Sequence, residues 1–230
     1  MIRWGIALWL AFSASPLSAT ECRLALALAL DISSSVDATE DTLQRQGVAA
    51  ALIAPEVEEA FFESPLPVAI AVYEWSGNFN QVLLLDWTVI ETRADLVTAA
   101  YQIGQSKRSA NDSPTAMGHA LAYGSRLLER APRCLFNTID LSGDGINNNG
   151  YGPRTAYKHF PFDTITVNGL VINAADFEGE IDLIPFFQEN VLHGPGAFLE
   201  IADGFKDFER AMRRKLEREL RGAVLSELRP

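Results

Sequence analysis

The stretch Asp31-Ile-Ser-Ser-Ser35 directly follows an apolar run at residues 24–30 and directly precedes a long helical pattern. The run alternates Leu with Ala. Both residues are good helix formers, but the strict period of two predicts a β-strand. Strands inside a parallel sheet are buried on both faces and are apolar throughout, as this run is. The sequence therefore predicts a buried strand that ends in one carboxylate and two spaced hydroxyls, those of Asp31, Ser33 and Ser35.

Two interpretations of this loop are open from its residues alone. Asp and Ser after a strand commonly cap the helix that follows. The alternative is a metal site, because hard divalent cations take oxygen ligands and Mg²⁺ combines a few protein oxygens with waters. Ligands of open α/β sheets usually bind at the carboxyl ends of the strands, which is where this loop is expected to lie.

The rest of the chain alternates strand patterns with helical ones. Further strands are predicted at residues 68–75, 80–87, 134–141, 164–172 and 197–201. Helices are predicted at residues 37–62 (interrupted near Pro55), 92–103, 115–130, 157–160, 181–191 and 205–228. A turn at residues 76–78 joins two strands into a hairpin. The pattern predicts one doubly wound, mostly parallel α/β sheet with helices on both faces.

The amino terminus has the features of a secretion signal. Arg3 supplies a positive start, residues 6–12 an apolar stretch, and Ala19 an acceptable cleavage site. We therefore predict a signal peptide at residues 1–19 and one domain at residues 20–230, located in the periplasm or secreted. An uncleaved membrane anchor is the alternative, but the apolar stretch is short for a span. After cleavage we expect no stable membrane span.

The formal net charge is −11 over 230 residues. An acidic chain is a poor match for nucleic acid, whose phosphates attract basic surfaces. The same charge fits the binding of cations. We therefore expect no nucleic-acid partner.

The only two cysteines, Cys22 and Cys134, lie at similar distances before Asp31 and Asp144. If both precede neighbouring parallel strands, they lie at the same end of the sheet. An exported chain meets an oxidising compartment, so we predict a Cys22–Cys134 disulfide far from the proposed metal site. Two buried thiols are the alternative.

Hydroxyls and carboxylates at three separate places complete a pattern. Thr115 opens the predicted helix 115–130, and Asp144 follows the strand 134–141 in a Ser-Gly-Asp-Gly turn. With Asp31, Ser33 and Ser35 they offer only hard oxygen donors. This combination resembles the von Willebrand factor A-type domain and its metal-ion-dependent adhesion site. In that family the five matching positions hold one divalent cation, usually Mg²⁺, although Ca²⁺ or Mn²⁺ can take its place.

The resemblance covers residues 23–228. Runs at residues 72–76, 87–90, 142–148, 168–170 and 194–198 are similar to one exported bacterial branch of the fold that has no assigned function. The resemblance implies the strand order 3-2-1-4-5-6 with an antiparallel edge strand. It also places the two cysteine-bearing strands side by side, which supports the disulfide.

The function that the resemblance implies is that of an exported binding module and not of an enzyme. One coordination position of the cation is left for a Glu or Asp carboxylate of an unknown protein partner. One alternative is a structural component of an envelope complex whose fold the metal stabilises. The other is a metal-dependent ester hydrolase, which lacks a base placed by any motif.

Two further features leave choices open. Asp140 competes with Asp144 for the metal, and we favour Asp144 because Asp140 falls inside the predicted strand. Asn147, Asn148 and Asn149 faintly suggest a calcium loop, but a turn of residues that tolerate left-handed backbone is preferred.

Overall fold

The computed structural model describes residues 22–173 and 182–227. The predicted signal peptide, residues 1–19, lies outside the described residues. So does residue 181, where the predicted helix 181–191 begins.

The centre of the molecule is a six-stranded sheet. Its strands are β1 Cys22–Asp31, β2 Val68–Ser76, β3 Asn80–Ile90, β4 Cys134–Gly143, β5 Ile165–Ile172 and β6 Leu199–Ala202. Their order across the sheet is β3-β2-β1-β4-β5-β6. The β2–β3 pair is antiparallel and the other pairs are parallel. The predicted fold class and strand order are confirmed.

Helices cover both faces of the sheet. They are α1 Ala38–Leu52, α2 Pro55–Phe62, α3 Arg93–Gly104, α4 Met117–Leu128, α5 Pro153–His159, α6 Leu183–Phe186 and α7 Phe208–Glu227. A π-helical turn, Phe187–Val191, continues α6, and a 3₁₀ turn, Phe205–Asp207, precedes α7. The helices α1, α2, α3 and α7 pack on one face. The helices α4, α5 and α6 pack on the other.

The alternation in β1 decides what each face can hold. Its leucines lie in the core shared with α1 and α7, and its alanines lie in the core shared with α4. Small alanines leave room for a close helix. Gly124 of α4 shows how close, because a Cβ there would lie 2.6 Å from the hydroxyl of Tyr73 and 2.9 Å from the Ile139 side chain. The close packing of α4 fixes the position of the segment that precedes it.

Cys22 and Cys134 are register partners at the amino ends of β1 and β4. They form a disulfide with a Cα–Cα distance of 4.5 Å, which confirms the predicted pairing. Because β1 runs from Cys22 to Asp31, the disulfide lies at the end of the sheet opposite the Asp31 loop.

Some boundaries differ from the sequence prediction. The strand β4 continues two residues further, to Gly143, because β5 pairs with it through Ser142 and Gly143. The helix α4 begins at Met117 and not at residue 115, because Ala116 has non-helical backbone angles. The fifth helix begins earlier, at Pro153, a residue suited to a first helical turn.

Candidate metal-binding site

Three loops meet at the carboxyl end of the sheet. Asp31 ends β1, and the loop that follows carries Ser33 and Ser35. The Ser35 hydroxyl donates to Asp144 Oδ1 at 2.8 Å, which ties this loop to the segment after β4. A Cβ on Gly145 would lie 3.6 Å from Thr115 Oγ1. The structure thus brings together all five residues that the sequence proposed as ligands.

Asp31 is the deepest of the five. Its side chain is fully buried, and its Oδ1 accepts a hydrogen bond from the Ser33 amide at 2.7 Å. Its Oδ2 is buried with no hydrogen-bond partner among the described residues. A Cβ on Gly143 would lie 3.0 Å from this oxygen, so the glycine keeps the space beside it open. An unpaired buried carboxylate oxygen is unfavourable unless a cation or another donor compensates for it.

The carboxylate of Asp144 lies near that of Asp31, and its negative charge affects the pKa of Asp31. Burial, and then the nearby charge of Asp144, raise the pKa of Asp31 well above its usual range. The hydrogen bonds from Ser33 and the charge of Arg108 lower it in part. A bound divalent cation inverts this balance because it favours the ionised form of both carboxylates.

The hydroxyls form a path from this buried carboxylate to solvent. Ser33 is buried, Ser35 is exposed, and their oxygens lie 3.1 Å apart. Thr115 is buried, whereas Asp144 is partly exposed. A cation among these oxygens would therefore have protein beneath it and solvent, or a partner, on its outer side.

The helix-capping alternative for the Ser33–Ser35 loop is wrong. The N-cap of α1 is Asp37, whose carboxylate accepts from the Thr39 and Glu40 amides. The Glu40 side chain completes the capping box by accepting from the Asp37 amide. The hydroxyls of Ser33 and Ser35 are consequently not used by the helix.

Thr115 is held by the turn that follows Asp144. The Asn148 side chain accepts from the Thr115 amide at 2.9 Å. The Asn148 and Asn149 amides donate to the Thr115 carbonyl at 3.0 and 3.1 Å. The asparagine-rich turn thus positions Thr115.

Arg108 was not identified from the sequence, yet it fixes the Asp31 loop. Its guanidinium donates to the carbonyls of Ile32 at 2.7 Å, Ser33 at 3.0 Å and Val36 at 2.6 Å. Backbone carbonyls carry no signature in a sequence, so no pattern could have revealed these contacts. Arg108 joins the loop before α4 to the Ser33–Ser35 loop without any metal.

Asp140 lies away from this cluster. It is buried within β4, where its Oδ1 lies 2.7 Å from the Lys215 ammonium of α7. Lys215 also contacts Glu219 at 2.8 Å. Between the two candidates that the sequence offered, Asp144 is the one beside Asp31.

Among residues 22–173 and 182–227, no group of three or more His, Cys, Asp or Glu side chains is placed to hold a metal. A cation at the Asp31–Asp144 cluster would thus need the hydroxyl oxygens as well. Such a donor set of carboxylates and hydroxyls suits Mg²⁺ better than a soft metal.

Residues 21–224 match a family described as "Protein of unknown function (DUF1194)". The chain belongs to the DUF1194 family. No curated protein sequence matches it.

Solved structures share the fold of this DUF1194 chain. Proximal thread matrix protein 1 from the mussel byssus is 16% identical with a TM-score of 0.60, over 88% of this chain and 49% of that one. A von Willebrand factor type A protein from Catenulispora acidiphila is also 16% identical with a TM-score of 0.60, over 86% and 43%. The PilB minor pilin from Streptococcus sanguinis is 13% identical with a TM-score of 0.65, over 92% and 64%.

This DUF1194 chain therefore has a von Willebrand factor A-like fold and spans about half the length of the first two proteins. Another structure of the mussel protein is described as having a zinc-occupied MIDAS motif, which is the metal-ion-dependent adhesion site. That structure is 15% identical with a TM-score of 0.59, over 87% of this chain and 46% of that one.

Proposed function

We propose that this DUF1194 chain is an exported binding module that engages a partner carboxylate through a divalent cation. Asp31, Ser33, Ser35, Thr115 and Asp144 would hold the cation. Mg²⁺ is the first choice, with Ca²⁺ and Mn²⁺ as alternatives. The partner is a protein that offers a Glu or Asp side chain.

The observation that carries this proposal is the unpartnered Oδ2 of Asp31. It is buried beside Gly143, and the charge of Asp144 raises the pKa of the same carboxyl. Two carboxylates held this close are stabilised by a cation between them. The Ser33 and Ser35 hydroxyls line the same place, and they suit an oxygen-liganded ion.

The charge of the donor set explains why the cation would accept a partner. Two carboxylates balance the charge of a divalent ion, and the three hydroxyls add none. Because hydroxyls are weaker donors than carboxylates, the cation stays electrophilic at close range toward a third carboxylate, from a partner. The cation's contribution is to attract that anion, and the chain's contribution is to hold the oxygens at a solvent-facing edge.

The loops themselves argue for a binding module over a purely structural metal. Arg108 joins the Asp31 loop to the segment before α4, and Asn148 fixes Thr115. Because these contacts involve protein groups alone, the loops do not depend on a cation to be brought together. This pre-organisation lowers the cost of binding a ligand.

The export part of the proposal rests on the predicted leader and on the disulfide. A disulfide such as Cys22–Cys134 forms and persists in an oxidising compartment, for example the periplasm or the cell exterior. Over the part of the chain that the structure describes, no helix has the length and apolar character to cross a membrane.

Thermal unfolding of the exported chain tests the proposed cation. We expect the midpoint to rise with Mg²⁺ or Mn²⁺ in the wild type, and not in Asp31→Ala or Asp144→Ala. Asp163→Ala is the matched control, because Asp163 is exposed and precedes β5 at the far end of the sheet. An equal rise in all four proteins would refute the site.

A second experiment tests whether the partner's carboxylate is required for binding. A glutamate-containing peptide should bind in Mn²⁺, lose its binding in EDTA, and fail when Gln replaces its Glu. Binding of the metal without any preference between the Glu and Gln peptides would favour the structural alternative instead.

A further inference from the structure

A second concave site lies on the α4 face of the molecule, close to the candidate metal site. It is a cavity of about 220 Å³. We call it the aromatic pocket. Its main lining residues are Asn78, His119, Tyr123, Arg126, Tyr151 and Phe160. None of them belongs to the proposed cation site.

One wall of the aromatic pocket is a row of near-parallel rings. The rings of His119 and Tyr151 are stacked with centroids 4.1 Å apart. The rings of Tyr151 and Phe160 follow at 6.2 Å with an interplanar angle of 20°. Burial lowers the pKa of His119, opposed by a hydrogen bond with the Asn78 backbone, which favours a neutral ring in the stack. Such a wall favours another planar ring as its occupant.

Two polar groups at the aromatic pocket lack a hydrogen-bond or ion-pair partner within the part of the chain that the structure describes. Asn78 Oδ1 is buried and has no hydrogen bond. The exposed guanidinium of Arg126 lies 5.2 Å from the centre of the Phe160 ring, and no carboxylate of a described residue pairs with it. Asn78 is partly exposed and lines the pocket, so its side-chain amide can meet a polar ring substituent, and Arg126 offers a cation to an anion at the mouth.

Size and chemistry together select the occupant. A volume of about 220 Å³ is below the 300–1,000 Å³ range of small-molecule sites, so the pocket suits a single side chain. A tyrosine ring can stack on the wall. Its hydroxyl can donate or accept, which satisfies the Asn78 amide in either orientation.

The aromatic pocket is connected to the metal site along α4. His119, Tyr123 and Arg126 occupy successive turns of one face, and the helix begins just after Thr115. At about 1.5 Å of rise per residue the pocket centre lies roughly 10 Å from Thr115. An extended peptide covers that distance in about three residues.

Phe79 is an exposed apolar side chain next to the aromatic pocket, where a partner could contact it. It is 97% exposed and follows Asn78 in the β2–β3 turn. The turn lies at the carboxyl end of β2, the end of the sheet that also bears Asp31. An exposed phenylalanine beside an aromatic pocket offers a partner the kind of aromatic contact in which protein interfaces are enriched.

We propose that the aromatic pocket binds a tyrosine of the partner segment whose carboxylate takes the cation, about three residues away in sequence. An acidic group next to that tyrosine faces Arg126, and Phe79 packs against the partner. This inference rests on the proposed function for the link between the two sites. The pocket's affinity for tyrosine does not depend on the metal.

The first experiment measures the pocket alone. N-acetyltyrosine and its amide are titrated into isotope-labelled protein in EDTA, and the amide NMR signals of Gly118 and Gly150 are followed, because both glycines contact lining residues. We expect both ligands to shift these signals at millimolar concentration, with the carboxylate form binding several-fold tighter.

Variants locate the effect at Arg126. Arg126→Gln should abolish the preference for the carboxylate form, whereas Arg133→Gln, an exposed control before β4 at the other end of the sheet, should retain it. Absence of shifts at these glycines would overturn the inference. So would binding of methyl glucoside in place of N-acetyltyrosine, since it would indicate a glycan site.

The second experiment joins the two sites. Peptides containing Glu-x-x-Tyr or Tyr-x-x-Glu are compared in Mn²⁺ with the Glu-only and Tyr-only versions. We expect one order of the linked peptide to bind at least tenfold tighter than either single version. Phe79→Ser should reduce this affinity several-fold, and Tyr101→Ser, an exposed aromatic control on α3, should not.

The outcomes separate the two proposals. If the linked peptide binds no better than the Glu-only peptide, the inference fails and the proposed function stands. If the linked Glu- and Tyr-containing peptides bind equally in EDTA and in Mn²⁺, the cation proposal fails and the pocket stands, without the link. If no peptide binds, both are contradicted.

Discussion

Arg108 and Asp31 show how much of a site can depend on groups that are remote in sequence. The five oxygen-bearing residues could be proposed from sequence because each lies next to the carboxyl end of a strand, and parallel strands bring these ends together. The proximity of these residues was predictable, and their role as ligands remains a prediction. Arg108 was not predictable, since its acceptors are the backbone carbonyls of Ile32, Ser33 and Val36.

Replacing Arg108 should loosen the Asp31 loop. We expect Arg108→Ala to lower the free energy of unfolding by about 2 kcal/mol, because three buried or half-buried carbonyls lose a charged donor. It should also weaken Mn²⁺ binding by about tenfold, as losses of supporting contacts around a metal typically do. Urea unfolding and Mn²⁺ titration measure the two effects.

The matched control is Lys107→Ala, which removes an exposed neighbouring cation. It should change stability by no more than about 0.5 kcal/mol. If Arg108→Ala lowers neither the free energy of unfolding nor the Mn²⁺ affinity more than Lys107→Ala does, Arg108 does not position the loop.

Asp140 should make stability depend on pH. Burial raises the pKa of Asp140 to about 7, while Lys215 lowers it and Glu219 raises it by smaller amounts. A raised pKa in the folded state means that this group's stabilising contribution is full below about pH 4 and is lost as the pH rises through about 7. The loss is on the order of a few kcal/mol.

Urea unfolding at a series of pH values, in wild type and Asp140→Asn, measures this contribution. Between about pH 4 and pH 7, the free energy of unfolding of the wild type should fall relative to that of the Asn variant. Parallel curves for the two proteins over this range would show that Asp140 does not titrate there.

At the scale of the elements, the closeness of α4 to the sheet sets the position of Thr115. The alternation of Leu and Ala in β1 allowed the strand to be predicted, and in the structure it gives the strand two unlike faces. The start of α4 was misplaced, because neither Thr115 nor Ala116 is a helix breaker by type. The Asn148 and Asn149 amides bind the Thr115 carbonyl, and Ala116 has non-helical backbone angles. Contacts between distant loops decide such boundaries, and local sequence does not encode them.

Gly124→Ala should push α4 away from the sheet. The added Cβ would meet the Tyr73 hydroxyl at 2.6 Å and Ile139 at 2.9 Å. We expect a loss of about 1–3 kcal/mol, typical of overpacking, and weaker metal binding as Thr115 moves. Thermal unfolding with and without Mn²⁺ measures both.

Gly222→Ala on α7 is the control, because its Cβ would meet nothing within 4 Å. It should stabilise the protein by about 0.5–1 kcal/mol, since alanine is the better helix former. A Gly124→Ala protein that is as stable as the wild type, or that gains stability as Gly222→Ala does, would contradict the close-packing account.

At the scale of the whole molecule, the disulfide and the proposed metal site occupy opposite ends of β1 and β4. The bridge joins residues separated by 112 in sequence, so it removes much freedom from the unfolded chain. The sequence predicted this arrangement because both cysteines precede strands that proved to be neighbours.

Replacing both cysteines by serine should therefore lower the free energy of unfolding by about 2–4 kcal/mol. The rise in unfolding temperature with Mn²⁺ should persist, because Cys22 and Cys134 are remote from Asp31 and Asp144. Loss of the metal response in a variant that is still folded would show that the two ends of the sheet are coupled.

The measurement that tests the central claim most directly is a crystal structure of the exported chain grown with Mn²⁺ and a glutamate-containing peptide, using the anomalous signal of manganese. The account predicts one strong peak among Asp31, Ser33, Ser35, Thr115 and Asp144, with the peptide carboxylate as a further ligand. No peak there at saturating Mn²⁺, or a cation enclosed entirely by protein and water, would contradict it.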